Sequence, residues 1–378
     1  MKRRIHVHHK WRWRIGSLML GVTLVFTVLR VLASFVAYDT PSDINRPVYA
    51  TSKPKIAFLF LARNRMPLDF YWEHFFKGSK EDKYSVFIHA RPGFVYNAET
   101  TECSSFYNHQ LTNSILVQWG GASMIEAERI LLARALEDHS NSYFVLLSDS
   151  CIPLYNFSYI YDYITSSSKS FVDSFRLSKE EQYNPAMAPV ISKEHWRKGS
   201  QWFVLVRKHA EVVVADATIF PVFREHCQSA VLSNSLRDHV VMDMFFQNPH
   251  RRSKRDCIPD EHYIQTLLAI KGLEVEAERR TLTYTFWKEP ARGQIKDRWH
   301  PVTFGATDAS LRVIQEIQAI DFVNYETEGR KEWCSSNGVP RPCFLFARKF
   351  TRTAALRLLN ESLIVQSNAA AISGNGDT

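Results

Sequence analysis

"KIAFLFLA", residues 55–62, is an almost unbroken apolar run of strand length, the pattern of a strand covered on both faces. "YSVFIHA" (84–90) and "YFVLLS" (143–148) repeat it, and "SILVQW" (114–119) is expected as another strand. Between them, "LDFYWEHFFKG" has helical spacing, and "SMIEAERILLARALEDH" from Ser123 is the clearest helix in the chain. Ser123 and Glu126 match a capping box there, and Ile125, Ile130, Leu131, Ala133 and Leu136 supply much of an apolar face. Strands alternating with helices over about 120 residues predict an α/β domain with a mostly parallel sheet. Such sheets bind ligands beyond the carboxyl ends of their strands, which directs attention to "HARPG" from His89 and to "SDSCIP", which contains Asp149. No G-x-G-x-x-G and no Walker loop occurs, so dinucleotide and P-loop readings lack their fingerprint. The second half adds "QWFVLVRKHAEVVV" as a strand entering a helix, a basic stretch "NPHRRSKRD" (248–256), a helix at 260–272, "RTLTYTFW" and "CFLFARKFTRTAALRLL".

With 378 residues and 45% hydrophobic content, the chain can bury a sizeable core. Its net charge of +8 invites a nucleic-acid partner, but Lys2, Arg3, Arg4, Lys10, Arg12 and Arg14 carry most of the excess. Without those six, 41 basic residues face 39 acidic ones, so the body lacks a basic face for nucleic acid. The six flank an apolar run, Ile15–Ala37, long enough to cross a bilayer core of about 30 Å. Positive charge on its N-terminal side predicts a cytoplasmic tail (1–14), a transmembrane signal-anchor (15–37), a stem (38–54), a lumenal domain (55–360) and a disordered tail (361–378). Arg30 can snorkel toward the headgroups. A signal peptide cleaved after Val31–Ala33 is the alternative. Six cysteines in an oxidising compartment make disulfides plausible, and only Cys334 with Cys343 is locally convenient. Asn156 and Asn360 stand in glycosylation sequons.

The chemistry centres on "CIPDEHYIQTLLA" (257–269). Asp260, Glu261 and His262 are open to three readings: a charged helix cap after Pro259, a metal cluster, or a catalytic carboxylate on a rigid support. Contiguous D-E-H lacks the three- or four-residue spacing that puts ligands on one helical face, and the chain has no D-x-D. A single general base at Glu261 remains beside the cap reading. Downstream, "CFLFARKFTR" crowds Arg348, Lys349 and Arg352 at the end of an apolar run, where cations could hold a diphosphate or merely face solvent.

"DEH" before a helix, "GSQWFVLVR" (199–207), "SILVQWGGASMIEAE" followed by "YFVLLSDSCIPL", and "FLFARKF" together resemble the core-2/I-branching β-1,6-N-acetylglucosaminyltransferases, glycosyltransferase family 14, most closely its plant branch. The resemblance spans roughly residues 55–358. It implies a GT-A fold with a Rossmann-like sheet and an inverting, metal-independent type II Golgi enzyme without cofactor. Such an enzyme moves a sugar from a UDP-sugar donor to a glycan acceptor. It places the general base on Glu261 and the diphosphate-binding lysine on Lys349, with Arg348 and Arg298 as further phosphate cations. His89 and Asp149 then line the donor-nucleotide pocket, and Trp196, Arg197 and Lys198 are acceptor candidates. Where the animal enzymes have an aspartate, this chain has Arg91, which leaves UDP-glucuronic acid or UDP-galactose as rival donors to UDP-N-acetylglucosamine. A glycan-binding Golgi scaffold is the non-catalytic alternative.

Overall fold

The computed structural model describes residues 53–177, 183–229, 257–288 and 300–362. The expected anchor at 15–37, the cytoplasmic tail, most of the stem, the basic stretch 248–256, Arg298 and the tail from 363 lie outside them. No helix among the described residues is long and apolar enough to cross a membrane.

The run at 55–62 forms the central strand. In β1 (Lys55–Leu61) the five inner residues, Ile56 to Phe60, are fully buried. Alternation along the strand sends Phe58 and Phe60 to one layer and Ala57 and Leu59 to the other. On the first side α1 (Asp69–Phe76) brings Trp72, Phe75 and Phe76 edge-on to Phe58. β2 (Tyr84–His89) then pairs parallel with β1. The second side is covered by α2 (Ser123–Leu136), whose Leu131, Leu132 and Ala135 are fully buried. β3 (Asn141–Ser148) pairs parallel with β1 on its other edge. Leu61 is in register with both His89 and Ser148, so the chain leaves all three strands at one level.

Beyond that level come the short β4 (Ile152–Pro153), α3 (Phe157–Thr165) and β5 (Ser170–Phe171). β6 (Val204–Val206) runs antiparallel to β3 and leads into α4 (Arg207–Ala215) and α5 (Ile219–His226). After α6 (Tyr263–Ile270), β7 (Ala277–Glu278) closes a six-stranded sheet of order β2-β1-β3-β6-β5-β7. The sheet is therefore mixed: parallel at β2-β1-β3 and at β5-β7, with β6 reversed between them. This fits a GT-A-like arrangement. β8 (Thr283–Thr285), α7 (Leu311–Gln318), the hairpin β9 (Phe322–Tyr325) and β10 (Arg330–Trp333), and the ribbon β11 (Ser335–Ser336) and β12 (Val339–Pro340) follow. The last strand, β13 (Phe346–Arg348), lies between β4 and β8 in a second sheet, and residues 352–362 are helical.

Three local expectations fail for identifiable reasons. "SILVQW" forms no strand, because the free edge of β2 is already taken by His109–Leu111 through the Ile88 amide and carbonyl. Leu116 and Trp119 are left 72% and 45% exposed. Ser123 opens α2 from inside the helix rather than capping it; its hydroxyl accepts the Gln118 amide instead. Ala133 faces outward, whereas Ala127 and Glu128 face the core.

Cys334 pairs with Cys343 as their spacing suggests, and Cys227 pairs with Cys257 across 30 residues of sequence. Closing a loop of that length stabilises a fold by about 3–4 kcal/mol in the chain-entropy account. Cys257→Ala together with Cys227→Ala should lower the unfolding free energy by about 3 kcal/mol, measured as a shift in denaturant midpoint at unchanged slope. Because Cys257 immediately precedes the 258–262 segment, transferase activity should fall with it.

Candidate active site

Glu261 does not sit in the first turn of a long helix. Pro259–Glu261 is a single 3-10 turn, closed by the Glu261 and His262 amides onto the Ile258 and Pro259 carbonyls. His262 breaks from helical geometry, and only then does α6 begin. The cap reading is thus half right: Pro259 opens the turn, but other bonds hold it. The Glu261 carbonyl accepts the Gly199 amide at 2.9 Å and the Gln265 side-chain amide at 2.6 Å. Its carboxylate is 26% exposed and pairs with Lys198 at 3.3 Å.

"GSQW" supplies this hold residue by residue. The Gly199 amide meets Glu261, the Ser200 amide donates to Asp173 at 2.8 Å, and Gln201 donates to Glu128 at 2.9 Å. The Trp202 ring lies under the Arg348 guanidinium, 4.5 Å from its centroid. A Cβ on Gly199 would stand 1.9 Å from the Asp173 carbonyl oxygen, so only glycine fits.

The three acceptor candidates separate. Trp196 is buried, stacked between His262 at 4.4 Å and Phe223 at 5.5 Å. Arg197, 4% exposed, is committed to both Glu274 carboxylate oxygens and to the Glu194 carbonyl. Neither offers a surface to a sugar, and both act as buried supports. Lys198, half-buried, is the one of the three that pairs with the Glu261 carboxylate. Burial pushes His262 down to about 3, so its ring is neutral and Nδ1 donates to the Arg197 carbonyl at 2.7 Å.

Cations gather where the three level strands end. Half-buried Asp149 follows β3; burial pushes its carboxyl up, while Arg63, Arg348 and Lys349 pull it back. Burial and the charges of Arg348 and Arg63 push the Lys349 ammonium down. β13 carries Arg348 and Lys349 to this place because it pairs with β4, just after Asp149. Arg348 is half-buried, and its charge is felt by Asp149, Asp260 and Glu261 as well. It therefore links the cations beside Asp149 to the Glu261 carboxylate. Arg63 escaped the sequence reading; its position directly after a fully buried strand was the available signal. His89 is 2% exposed and accepts the Ile115 amide at 3.1 Å, so it anchors the neighbouring loop instead of lining a pocket. Trp119 and His300 stack loosely at 5.3 Å, and Lys349 acts on His300.

Asn156 caps α3, its side-chain oxygen accepting the Tyr159 amide at 2.9 Å, and is exposed, as is Asn360.

A carboxylate held through its backbone and linked by Arg348 to cations gathered at the carboxyl ends of the central strands suits the transfer of a group from an anionic leaving group. The chain belongs to the Core-2/I-Branching enzyme family, whose pattern it matches over residues 56–318. Over 320 residues it is 54% identical to Glycosyltransferase BC10 of Oryza sativa subsp. japonica, covering 84% of this chain and 78% of that relative. The protein is a glycosyltransferase.

Gly199→Ala should reduce transfer by at least about tenfold and destabilise the fold by about 1–3 kcal/mol, read from initial rates and thermal melting; wild-type behaviour in both would show that the 199–261 contact is dispensable.

Proposed function

We propose that the protein is an inverting Golgi transferase that moves N-acetylglucosamine from UDP-N-acetylglucosamine to a hydroxyl of an acceptor glycan, without a metal ion. The observation that carries the reading is Arg348, whose charge acts on Glu261 and Asp260 on one side and, together with Lys349 and Arg63, on Asp149 on the other. The Glu261 carboxylate takes the proton of the acceptor hydroxyl, whose oxygen forms a new bond to the anomeric carbon from the face opposite the diphosphate. The bond from that carbon to the phosphate oxygen breaks, and its electron pair leaves with UDP. Lys349 and Arg63 receive the departing charge, and Arg348 stabilises it from behind. A nucleoside diphosphate leaves without needing an acid, so one carboxylate suffices where glycosidases need two. Arg298 is assigned to the same clamp by the family resemblance. A lumenal setting is supported by the two disulfides and by the apolar run 15–37 with its basic flank. UDP-glucuronic acid and UDP-galactose remain the rival donors, since Arg91, exposed at the end of β2, stands where a uridine contact is expected.

Glu261→Gln should leave UDP-sugar binding within about twofold while lowering transfer about 10²–10⁴-fold; turnover near that of the wild type would remove Glu261 as the base. UDP release from a panel of UDP-sugars with candidate wall or glycoprotein acceptors identifies the donor. Chelation by EDTA should leave the rate unchanged, and loss of activity restored by Mn²⁺ would overturn the cation clamp.

A further inference from the structure

Directly behind the 259–261 turn lies a second carboxylate that the reaction does not use. Glu128, on the inner face of α2, is 1% exposed, and Asp260 is 7% exposed. Its Oε1 accepts the Gln201 amide, but Glu128 Oε2 and Asp260 Oδ1 are buried with no hydrogen-bond partner among the described residues. Each of these carboxylates lacks a salt bridge among the described residues, and Asp260 is the charged group that acts on Glu128. The helix α2 that carries Glu128 packs directly on the 259–261 turn, and two buried carboxylates brought together in this way cannot both ionise cheaply. A proton held between them would satisfy both orphan oxygens at once.

We propose that Glu128 is a positioning residue for glycosyl transfer: as a neutral carboxylic acid it donates a hydrogen bond to Asp260, and this acid pair fixes the turn that aims Glu261 at the acceptor hydroxyl. The inference rests on Glu261 being the general base. The remaining charged groups around the pair are engaged elsewhere or reinforce the arrangement. Glu261 and Arg348 act on Asp260 from the site side, with opposite signs. Arg129, the next residue on α2, is turned to Tyr263 and to the Val214 carbonyl, close to Asp216. His209 on α4 faces Ser170 and Glu276. His262, on the far side of Asp260, is neutral and bound to the Arg197 carbonyl.

Burial pushes Glu128 well above the usual carboxylate range and Asp260 up to about 7, with Glu261 adding to the latter. A raised carboxyl keeps its proton at low pH and loses it as pH rises through the raised value. The hydrogen bond is therefore intact at mildly acidic pH. It fails on the alkaline side, where a second negative charge also appears beside the base.

Glu128→Gln tests this directly, because an amide can accept from Gln201 and donate to Asp260 but cannot ionise. Together with Glu128→Leu, it is assayed for kcat and donor KM across mildly acidic to alkaline pH, with thermal melting to verify folding. Glu128→Gln should stay within about threefold of wild-type kcat at acidic pH, with its alkaline limb displaced upward by about one pH unit or more. Glu128→Leu should lose about tenfold or more in kcat at every pH with donor KM unchanged. A wild-type alkaline limb in Glu128→Gln, or wild-type kcat in Glu128→Leu, overturns the proposal. Should the leucine variant not fold, the pH profile of the glutamine variant decides alone. Failure of the base assignment would show separately, as activity surviving in Glu261→Gln.

Discussion

The approach of Gly199 to the turn that carries Glu261 is the contact on which the site depends. Its amide holds the Glu261 carbonyl, and its missing side chain lets the 173 and 199 backbones touch. The three residues that follow each tie down a different element: Asp173 beside β5, Glu128 on α2, and Arg348 on β13. Four consecutive residues thus bring together segments from five parts of the chain. A general base gains from such restraint because proton transfer needs the carboxylate within hydrogen-bond reach of the hydroxyl.

Charge is distributed so that neither side of the site stands alone. Arg348 joins the two, its charge felt by Asp149, Asp260 and Glu261 together. Stacking on Trp202 holds the guanidinium in a half-buried place where desolvation opposes its charge. Lys349 is only partly buried and Arg63 is exposed. Arg352, which the sequence grouped with them, turns away to Asp69, Glu102 and the Pro67 carbonyl. Its role is to fasten the C-terminal helical segment to α1.

Much of this was legible before any coordinates. Buried strands announce themselves by unbroken apolar runs, so β1, β2 and β3 fell where "KIAFLFLA", "YSVFIHA" and "YFVLLS" predicted. The reversal of β6 was not legible, because an apolar triplet has the same composition in either direction. "SILVQW" misled because strand propensity cannot reveal that an edge is already occupied. In the candidate site, Glu261 and Lys349 were singled out by motif resemblance, whereas Arg63 and Glu128 lay in runs whose side-chain directions depend on tertiary packing. Trp196 and Arg197, acceptor candidates by the resemblance, are buried instead, because alternation along the backbone sends Arg197 to Glu274 and away from Lys198.

The second sheet places its last-made strand in the middle. β4 and β8 are synthesised well before β13, yet each finds its partner only when Phe346–Arg348 slides between them. Until the ribosome has delivered that segment, both strands present open backbone edges. The same insertion brings Arg348 and Lys349 to Asp149. Covering those edges and gathering the cations beside Asp149 are therefore a single step in folding, which no earlier part of the chain can complete alone.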